Sequence, residues 1–311
     1  MMGYKFKSFN TFEMKRITFI INPISGTKSK ASVPNLIDSL LFKQSGITYE
    51  VLYTQYAGHG SELAAAKAED GVDIVVAVGG DGTVNEIAGA LVHTKTALGI
   101  IPFGSGNGLA RHLGIPMRVE DAIRLFLDGE EKWIDYGRIN KKQLFFCSCG
   151  VGFDAKVSYK FAKAEKRGLF TYCNIALMEN LSYEAEKYHL ITDTGEELIN
   201  KAFVIACNNA AQYGNDAFIA PHASMQDGML DVTLIEPINL LDAPILAYQL
   251  FTRRIDQNTK TKTIRCKSIK IIREKPGLLH YDGEPVEASK DLLIETVPLG
   301  LKVIAPKESS I

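Results

Sequence analysis

Apolar and polar positions follow two different rhythms along this chain. In the first 134 residues, short apolar runs alternate with stretches of helical spacing. Residues 17–21 are rich in β-branched side chains and predict a strand, broken by Asn22-Pro23-Ile24-Ser25-Gly26. Residues 33–42 have helical apolar spacing, 48–53 predict a second strand, and 61–69 predict a helix with Ser61 at its N-cap. The near-continuous apolar run 73–78 ends in Gly79-Gly80-Asp81-Gly82, and a helix follows over 83–91. Strand 97–101 leads into residues 102–108 and a short helix through His112, and a last helix, 119–128, is closed by Gly129. Strands apolar throughout, alternating with helices, predict a parallel sheet covered on both faces over about residues 15–134.

From Asp135 onward the rhythm changes to hairpins. Strands are predicted over 134–139, 143–149, 189–192, 201–207, 230–235, 263–272, 278–281 and 292–296, separated by turn signals such as Asn140 and Pro276-Gly277. Two helical stretches interrupt them, 155–188 with a break near Gly168, and 240–254. This second, mostly antiparallel domain covers 135–296, and strand 300–305 offers a return to the first domain, which would then include 297–311.

Composition narrows the class. A formal charge of -1 over 311 residues excludes a strongly basic nucleic-acid binder, and no nucleic-acid partner is expected. No apolar run approaches the roughly 20 residues of a membrane span, and residues 1–15 lack a signal-peptide core. The five cysteines have no zinc-type spacing and are expected as buried thiols in a reducing cytoplasm.

One device occurs three times in the first half: a buried strand, a glycine-bearing loop, then a helix. The loops are 22–26, 79–83 and 104–108. In an open parallel sheet they leave the carboxyl edge of the strands, where ligands bind. Glycines admit close backbone approach and helix N-termini favour anions, so the expected ligand is a phosphate chain. Neither G-x-x-x-x-G-K-[ST] nor G-x-G-x-x-G in a dinucleotide context occurs, which disfavours P-loop enzymes and classical dehydrogenases. Asp81 is suited to a metal, directly or through water, and Thr83 to a helix cap or a phosphate; a plain tight turn capped by Asp81 is the bland alternative.

Three motifs carry a family resemblance: Asn22-Pro23-x-Ser25-Gly26, Gly79-Gly80-Asp81-Gly82-Thr83-Val84-Asn85-Glu86, and Pro102-Phe103-Gly104-Ser105-Gly106-Asn107-Gly108-Leu109-Ala110. The second half adds Gly152-Phe153-Asp154-Ala155, Ala220-Pro221, Asp227-Gly228-Met229-Leu230-Asp231-Val232 and Asp282-Gly283-Glu284. Together they resemble the diacylglycerol kinase catalytic-domain family, in its bacterial diacylglycerol kinase and YegS type, with a third loop similar to sphingosine and ceramide kinases. The resemblance spans about residues 16–305. It implies a 6-phosphofructokinase-like three-layer α/β domain joined to an antiparallel β-sandwich. ATP would lie in the cleft between them, with Mg²⁺.

By the same resemblance, the nucleotide contacts fall on Asn22, Pro23, Ser25 and Gly26, on Thr54, on Gly79, Gly80, Asp81, Gly82, Thr83, Asn85 and Glu86, and on Gly104, Ser105 and Asn107. The general base falls on Asp282 with Glu284 beside it, and a structural Mg²⁺, held by an aspartate and two backbone carbonyls, on Asp227, Ser224 and Met229. Four departures stand out. Ser105 replaces threonine, Gly108 replaces an aspartate and Leu109 a phenylalanine; and Tyr213-Gly214-Asn215-Asp216 stands where many members carry a glycine cluster.

The reaction implied is transfer of the γ-phosphate to a lipid hydroxyl, with diacylglycerol or a related lipid as acceptor; a sphingoid base, ceramide or phosphatidylglycerol are the alternatives. The lipid would be met at the cytoplasmic face of a membrane, by a cytoplasmic protein in peripheral association; a homodimer is allowed. Lys156, Lys160, Lys163, Lys166 and Arg167, interleaved with Phe161, Leu169, Phe170 and Tyr172, read either as a docking surface or as an ordinary solvated helix face. His59, His112 and His280 are expected as structural or cleft-lining groups. An NAD kinase shares the second loop, but its T-G-S-T-A-Y-like segment is missing here. A catalytically silent lipid- or nucleotide-binding regulator is the alternative of another class, with Gly108 as its support.

Overall fold

The computed structural model describes residues 14–26, 29–164, 168–180, 182–239, 241–309 and 311. The first half runs β1 (Lys15–Ile21), α1 (Val33–Leu41), β2 (Ile47–Tyr53), α2 (His59–Glu69), β3 (Ile74–Gly79), α3 (Asp81–Leu91), β4 (Ala97–Pro102), α4 (Gly108–His112) and α5 (Val119–Asp128). The strands pair in parallel in the order β2-β1-β3-β4. Every residue of β3 and β4 is buried, because α1 packs with α5 and α2 with α3 over the sheet. The amphipathic pattern of α5 explains its seat: Ala122, Ile123, Leu125 and Phe126 are its buried residues, and Phe126 meets Phe19 edge to face.

The second half adds β5 (Glu130–Ile139), β6 (Gln143–Phe145), β7 (Ser148–Gly152), α6 (Phe153–Ala162), α7 (Leu169–Asn180), β8 (Glu186–Thr192), β9 (Glu197–Ala202), β10 (Val204–Asn208), β11 (Leu230–Ile235), α8 (Asp242–Phe251), β12 (Thr261–Cys266), β13 (Ser268–Arg273), β14 (Gly277–Tyr281), β15 (Glu284–Ala288) and β16 (Asp291–Ala305). The antiparallel sheet β12-β11-β10-β7-β14-β15 packs on the antiparallel part of the large sheet, burying Cys149, Val151, Ile205 and Val232 in one core with Leu190, Ile269, Ile271 and Ile294. The architecture is therefore an α/β domain plus a β-sandwich, and β16 links them. Its first part pairs antiparallel with β13, and Val303 sits parallel to Leu98 of β4. A register shift between Val297 and Leu301, with Leu299 at φ 47°, redirects the strand.

Four sequence expectations need correction. α2 starts at His59 rather than behind a Ser61 cap: Gly58, at φ 92°, turns the chain, and Glu86 Oε1 accepts the N–H groups of Gly60 and Ser61. Residues 263–272 form two strands in different sheets, because the Asp193 carboxylate accepts the N–H groups of Lys267 and Ser268 and turns the chain where no glycine or proline marks it. The stretch 155–188 divides near Gly168 as expected, but its last residues, from Glu186, belong to β8. Four cysteines are buried, but Cys173 is exposed on α7, which lies on the surface.

Candidate functional site

The three glycine-bearing loops open on one cavity of about 1690 Å³. At its polar end stand Asn22, Pro23, Ser25 and Gly26, Thr54 at the end of β2, Gly80, Asp81, Gly82, Thr83, Asn85 and Glu86, Gly104 and Ser105, and finally Asp282 and Glu284. Gly79 and Asn107 are not among its lining residues but hold the loops that are.

The loops are cross-tied. Asn22 Nδ2 donates to Thr83 Oγ1 at 3.0 Å, joining the first loop to the second. Gly26, at φ 76°, presses on the Phe103 carbonyl, so a Cβ there would fall 2.1 Å from that oxygen. Asp81 clamps the second loop to the third: its Oδ2 accepts the Asn107 N–H at 2.9 Å and its Oδ1 the Gly108 N–H at 2.8 Å. Burial pushes the Asp81 carboxyl up, and these N–H groups pull against that rise. Asn107, left-handed at φ 51°, closes its own loop by accepting the Gly104 N–H and donating to the Gly104 carbonyl. Glu86 spends Oε1 on the N-terminus of α2.

Asp282 sits in the turn after β14 at φ 46°. Its Oδ1 accepts the N–H groups of Cys147 (2.8 Å) and Ser148 (3.0 Å), and its Oδ2 those of Phe146 (2.7 Å) and the Asn85 side chain (2.7 Å). Burial raises this carboxyl, and the four donors oppose the rise. A carboxylate has about four acceptor positions, so Asp282 is saturated and ties α3, the entry to β7 and the β14 turn together. Glu284 is the exposed carboxylate of this turn; its Oε1 lies 3.4 Å from where a Cβ on Gly82 would stand.

Other expected residues lie elsewhere. Asp227, Ser224 and Met229 do not line the cavity. Asp227 Oδ1 accepts the Met229 N–H, its Oδ2 pairs with Arg265, and the Ser224 hydroxyl donates to the Ile311 carbonyl. The Arg265 guanidinium thus engages one oxygen of the Asp227 carboxylate. Lys156 and Lys160 of the expected basic face pair with Glu179, at 3.1 and 3.5 Å, and Lys163 bonds the Tyr159 hydroxyl. Lys166 and Arg167 lie outside the described residues, and Phe161 and Tyr172 line the cavity. His112 accepts the Ala211 N–H, and burial lowers its imidazole to about 4.

The sequence departures have visible reasons. A Cβ at Gly108 would lie 3.2 Å from the Tyr213 carbonyl oxygen and 3.3 Å from Cys147 Sγ, which leaves little room for an acidic side chain. Asn215 and Asp216 are left-handed, at φ 50° and 61°, and Asn215 donates its N–H to Gly106, so the turn packs on the third loop.

The far end of the cavity escaped sequence reasoning. It is walled by Phe153, Val157 and Phe161 of α6, Tyr172 and Leu177 of α7, Phe203, Ile219, Ile235 and, from α8, Leu246 and Leu250. Lys30 was missed too. Its ammonium bonds the Ser25 carbonyl and lies 5.0 Å above the Phe103 ring, and burial lowers it. Its position four residues after Gly26 was the available signal.

Residues 16–139 match the family model of the diacylglycerol kinase catalytic domain, and residues 147–305 that of the YegS C-terminal NAD kinase beta sandwich-like domain. The chain belongs to the diacylglycerol kinase and YegS family of lipid kinases. A diacylglycerol kinase of Mycobacterium tuberculosis is 28% identical over 305 residues, covering 95% of this chain and 96% of its own. The "Probable lipid kinase YegS-like" of Yersinia enterocolitica is 28% identical over 280 residues, 88% of this chain and 92% of its own. Among solved structures, a diacylglycerol kinase from Bacillus anthracis superposes with a TM-score of 0.73 at 21% identity, covering 95% and 98% of the two chains. An NAD kinase from Archaeoglobus fulgidus in complex with ATP superposes at 0.52 and 16% identity over 95% of each chain, a likeness of fold alone. Family membership makes this lipid kinase a phosphotransferase, and kinase relatives imply ATP as its substrate.

Proposed function

We propose that this lipid kinase transfers the γ-phosphoryl group of ATP to a primary hydroxyl of a long-chain membrane lipid, diacylglycerol or a relative of it. One observation carries the reading: a single cavity joins the three phosphate-type loops to an apolar chamber, with Asp282 and Glu284 among its lining. Phosphoryl transfer asks mainly for in-line positioning and charge neutralisation. Loop N–H groups, the α3 N-terminus and the hydroxyls of Thr83 and Ser105 hold the phosphates. The apolar chamber takes the lipid chains. Asp282 fixes the geometry of the turn, and Glu284, the carboxylate of that turn not saturated by donors, receives the hydroxyl proton.

Among the described residues no lysine or arginine lines the cavity. A triphosphate there needs its charge neutralised, and this fits Mg²⁺ carried on the nucleotide and held mainly by its phosphates. Asp81 is the residue that would hold it, through water. Bound there, the ion supplies charge stabilisation to the transferring group. The lipid side is supported by exposed apolar residues on the two helices that also wall the chamber: Phe170 (85% exposed) and Met178 on α7, Ile245 and Tyr248 on α8, with Leu241 (83% exposed) just before it. They suit a membrane surface at which a cytoplasmic enzyme meets its substrate. No described helix is long and apolar enough to cross a membrane.

The test is transfer of labelled γ-phosphate from Mg·ATP to diacylglycerol, sphingosine, ceramide and phosphatidylglycerol in mixed micelles, with Glu284→Gln run beside the native chain. Labelled lipid, lost in the variant, is the expected result. ATP binding with no labelled lipid would instead support a silent regulator.

A further inference from the structure

The cavity contains a polar cluster that phosphoryl transfer does not use. Asp154, the second residue of α6, is 6% exposed. Its Oδ1 accepts the Ala155 N–H at 2.8 Å, and its Oδ2 meets the Tyr213 hydroxyl at 3.1 Å and His280 Nε2 at 3.0 Å. His280 is 3% exposed, and its Nδ1 has no hydrogen-bond partner. All three side chains line the cavity, beside Phe153, Val157 and Ile219. A carboxylate in such surroundings is costly unless it is well bonded, and the α6 N-terminus offsets part of that cost. The backbone is shaped around the cluster: a Cβ at Gly150 would lie 2.4 Å from Asp154 Oδ2 and 2.9 Å from His280 Nε2.

The cluster neighbours the reacting end. His280 and Asp282 flank Tyr281 at the end of β14, and the Cys149 thiol feels the charges of both Asp154 and Asp282. Burial and the Asp154 charge push the Tyr213 hydroxyl well above its ordinary range, so it stays a donor.

We infer that Asp154, His280 and Tyr213 form a specificity site for a second polar group on the acceptor lipid, beside the carbinol that is phosphorylated, and that this group is a hydrogen-bond donor: an amine, an amide N–H or a second hydroxyl. The inference rests on the lipid-kinase reading. Three of about four acceptor positions on Asp154 are filled. When His280 donates from Nε2 to Asp154, its Nδ1 is a further acceptor. The cluster therefore offers two open acceptors. The ester oxygens of a diacylglycerol bring only more acceptors, whereas a donor-bearing lipid satisfies them. A site built to bond a donor discriminates against the analogue that lacks it, because its own buried groups are then left unpaired.

The experiment compares kcat/KM of the full chain, with Mg·ATP in mixed micelles, for 1,2-dioleoylglycerol, 1-monooleoylglycerol, sphingosine and ceramide. At least one donor-bearing lipid should be preferred over 1,2-dioleoylglycerol by about tenfold or more. Tyr213→Phe and Asp154→Asn should narrow that preference to below about threefold through the lipid KM, with the ATP KM unchanged. Thermal midpoints check that each variant folds; Tyr213→Phe, which keeps its ring, carries the test if Asp154→Asn does not. Equal or better use of 1,2-dioleoylglycerol by the native chain, or a preference that survives a folded variant, overturns the inference while leaving the lipid-kinase reading intact. Labelling of no lipid at all overturns both.

Discussion

The two ends of the cavity are built in opposite ways. At the loop end, side chains are spent on holding backbone: Asp81 on the Asn107 and Gly108 N–H groups, Asn107 on Gly104, and Asp282 on residues 146–148. At the far end, apolar side chains from α6, α7, β11 and α8 enclose space, and one small polar cluster interrupts them. A phosphate site made of N–H groups demands a few residues in fixed sequence. An apolar wall accepts many residues of about the right size. The first end therefore announces itself in sequence, and the second does not.

The largest break in this contrast is expected at Asp282. In Asp282→Asn the new amide must turn its N–H₂ toward donors whichever way it is flipped: Cys147 and Ser148 on one side, Phe146 and Asn85 on the other. Unmatched buried donors cost about 1–3 kcal/mol. Turnover should fall at least ~10³-fold, because the turn that positions the acid–base group Glu284 is displaced, and the thermal midpoint should fall with it. Normal stability with lost turnover would assign Asp282 a purely chemical role.

Glu284→Gln should separate chemistry from architecture. It is expected to lower kcat by about 10²-fold with unchanged thermal midpoint and ATP affinity, measured by initial rates and nucleotide titration. An unchanged kcat would remove Glu284 from the base role.

Asp81→Asn should loosen only the clamp between second and third loops. One of its two N–H acceptors is lost, and the ATP KM should rise about tenfold, equivalent to roughly 1.4 kcal/mol, while the lipid KM stays put. A separate effect, on stability rather than turnover, depends on pH. The His112 imidazole is near 4 when folded and ordinarily 6.5, lowered by burial first and by Arg253 second. Its stabilising contribution is complete above 6.5 and is lost as pH falls toward about 4. This gives a slope worth on the order of 3 kcal/mol over that range, which His112→Phe should flatten in urea unfolding. An unaltered slope would place the acid sensitivity in other groups.

Legibility followed the same division. The alternation of buried strands and helices, and the glycine loops at strand ends, were readable because each signal is local and repeated. The split of 263–272 was not, because a distant carboxylate, Asp193, makes the turn. The saturation of Asp282 was unreadable for the same reason: its donors lie about 135 and 197 positions away. The Arg265 partner of Asp227 was unreadable too, because it lies on β12, 38 positions away. Asp154 stood in a quoted motif, but its link to His280 and Tyr213 needs the sandwich to be folded.

The division of labour itself is tested most directly by crossing two variants against two substrates. Ala247→Trp fills the apolar end from the exposed side of α8, and Asp81→Asn loosens the loop end. Initial rates over a grid of ATP and lipid concentrations should show a raised lipid KM alone for Ala247→Trp and a raised ATP KM alone for Asp81→Asn. A raised ATP KM in Ala247→Trp, or an unmoved lipid KM, would contradict a cavity that holds phosphate at one end and lipid at the other.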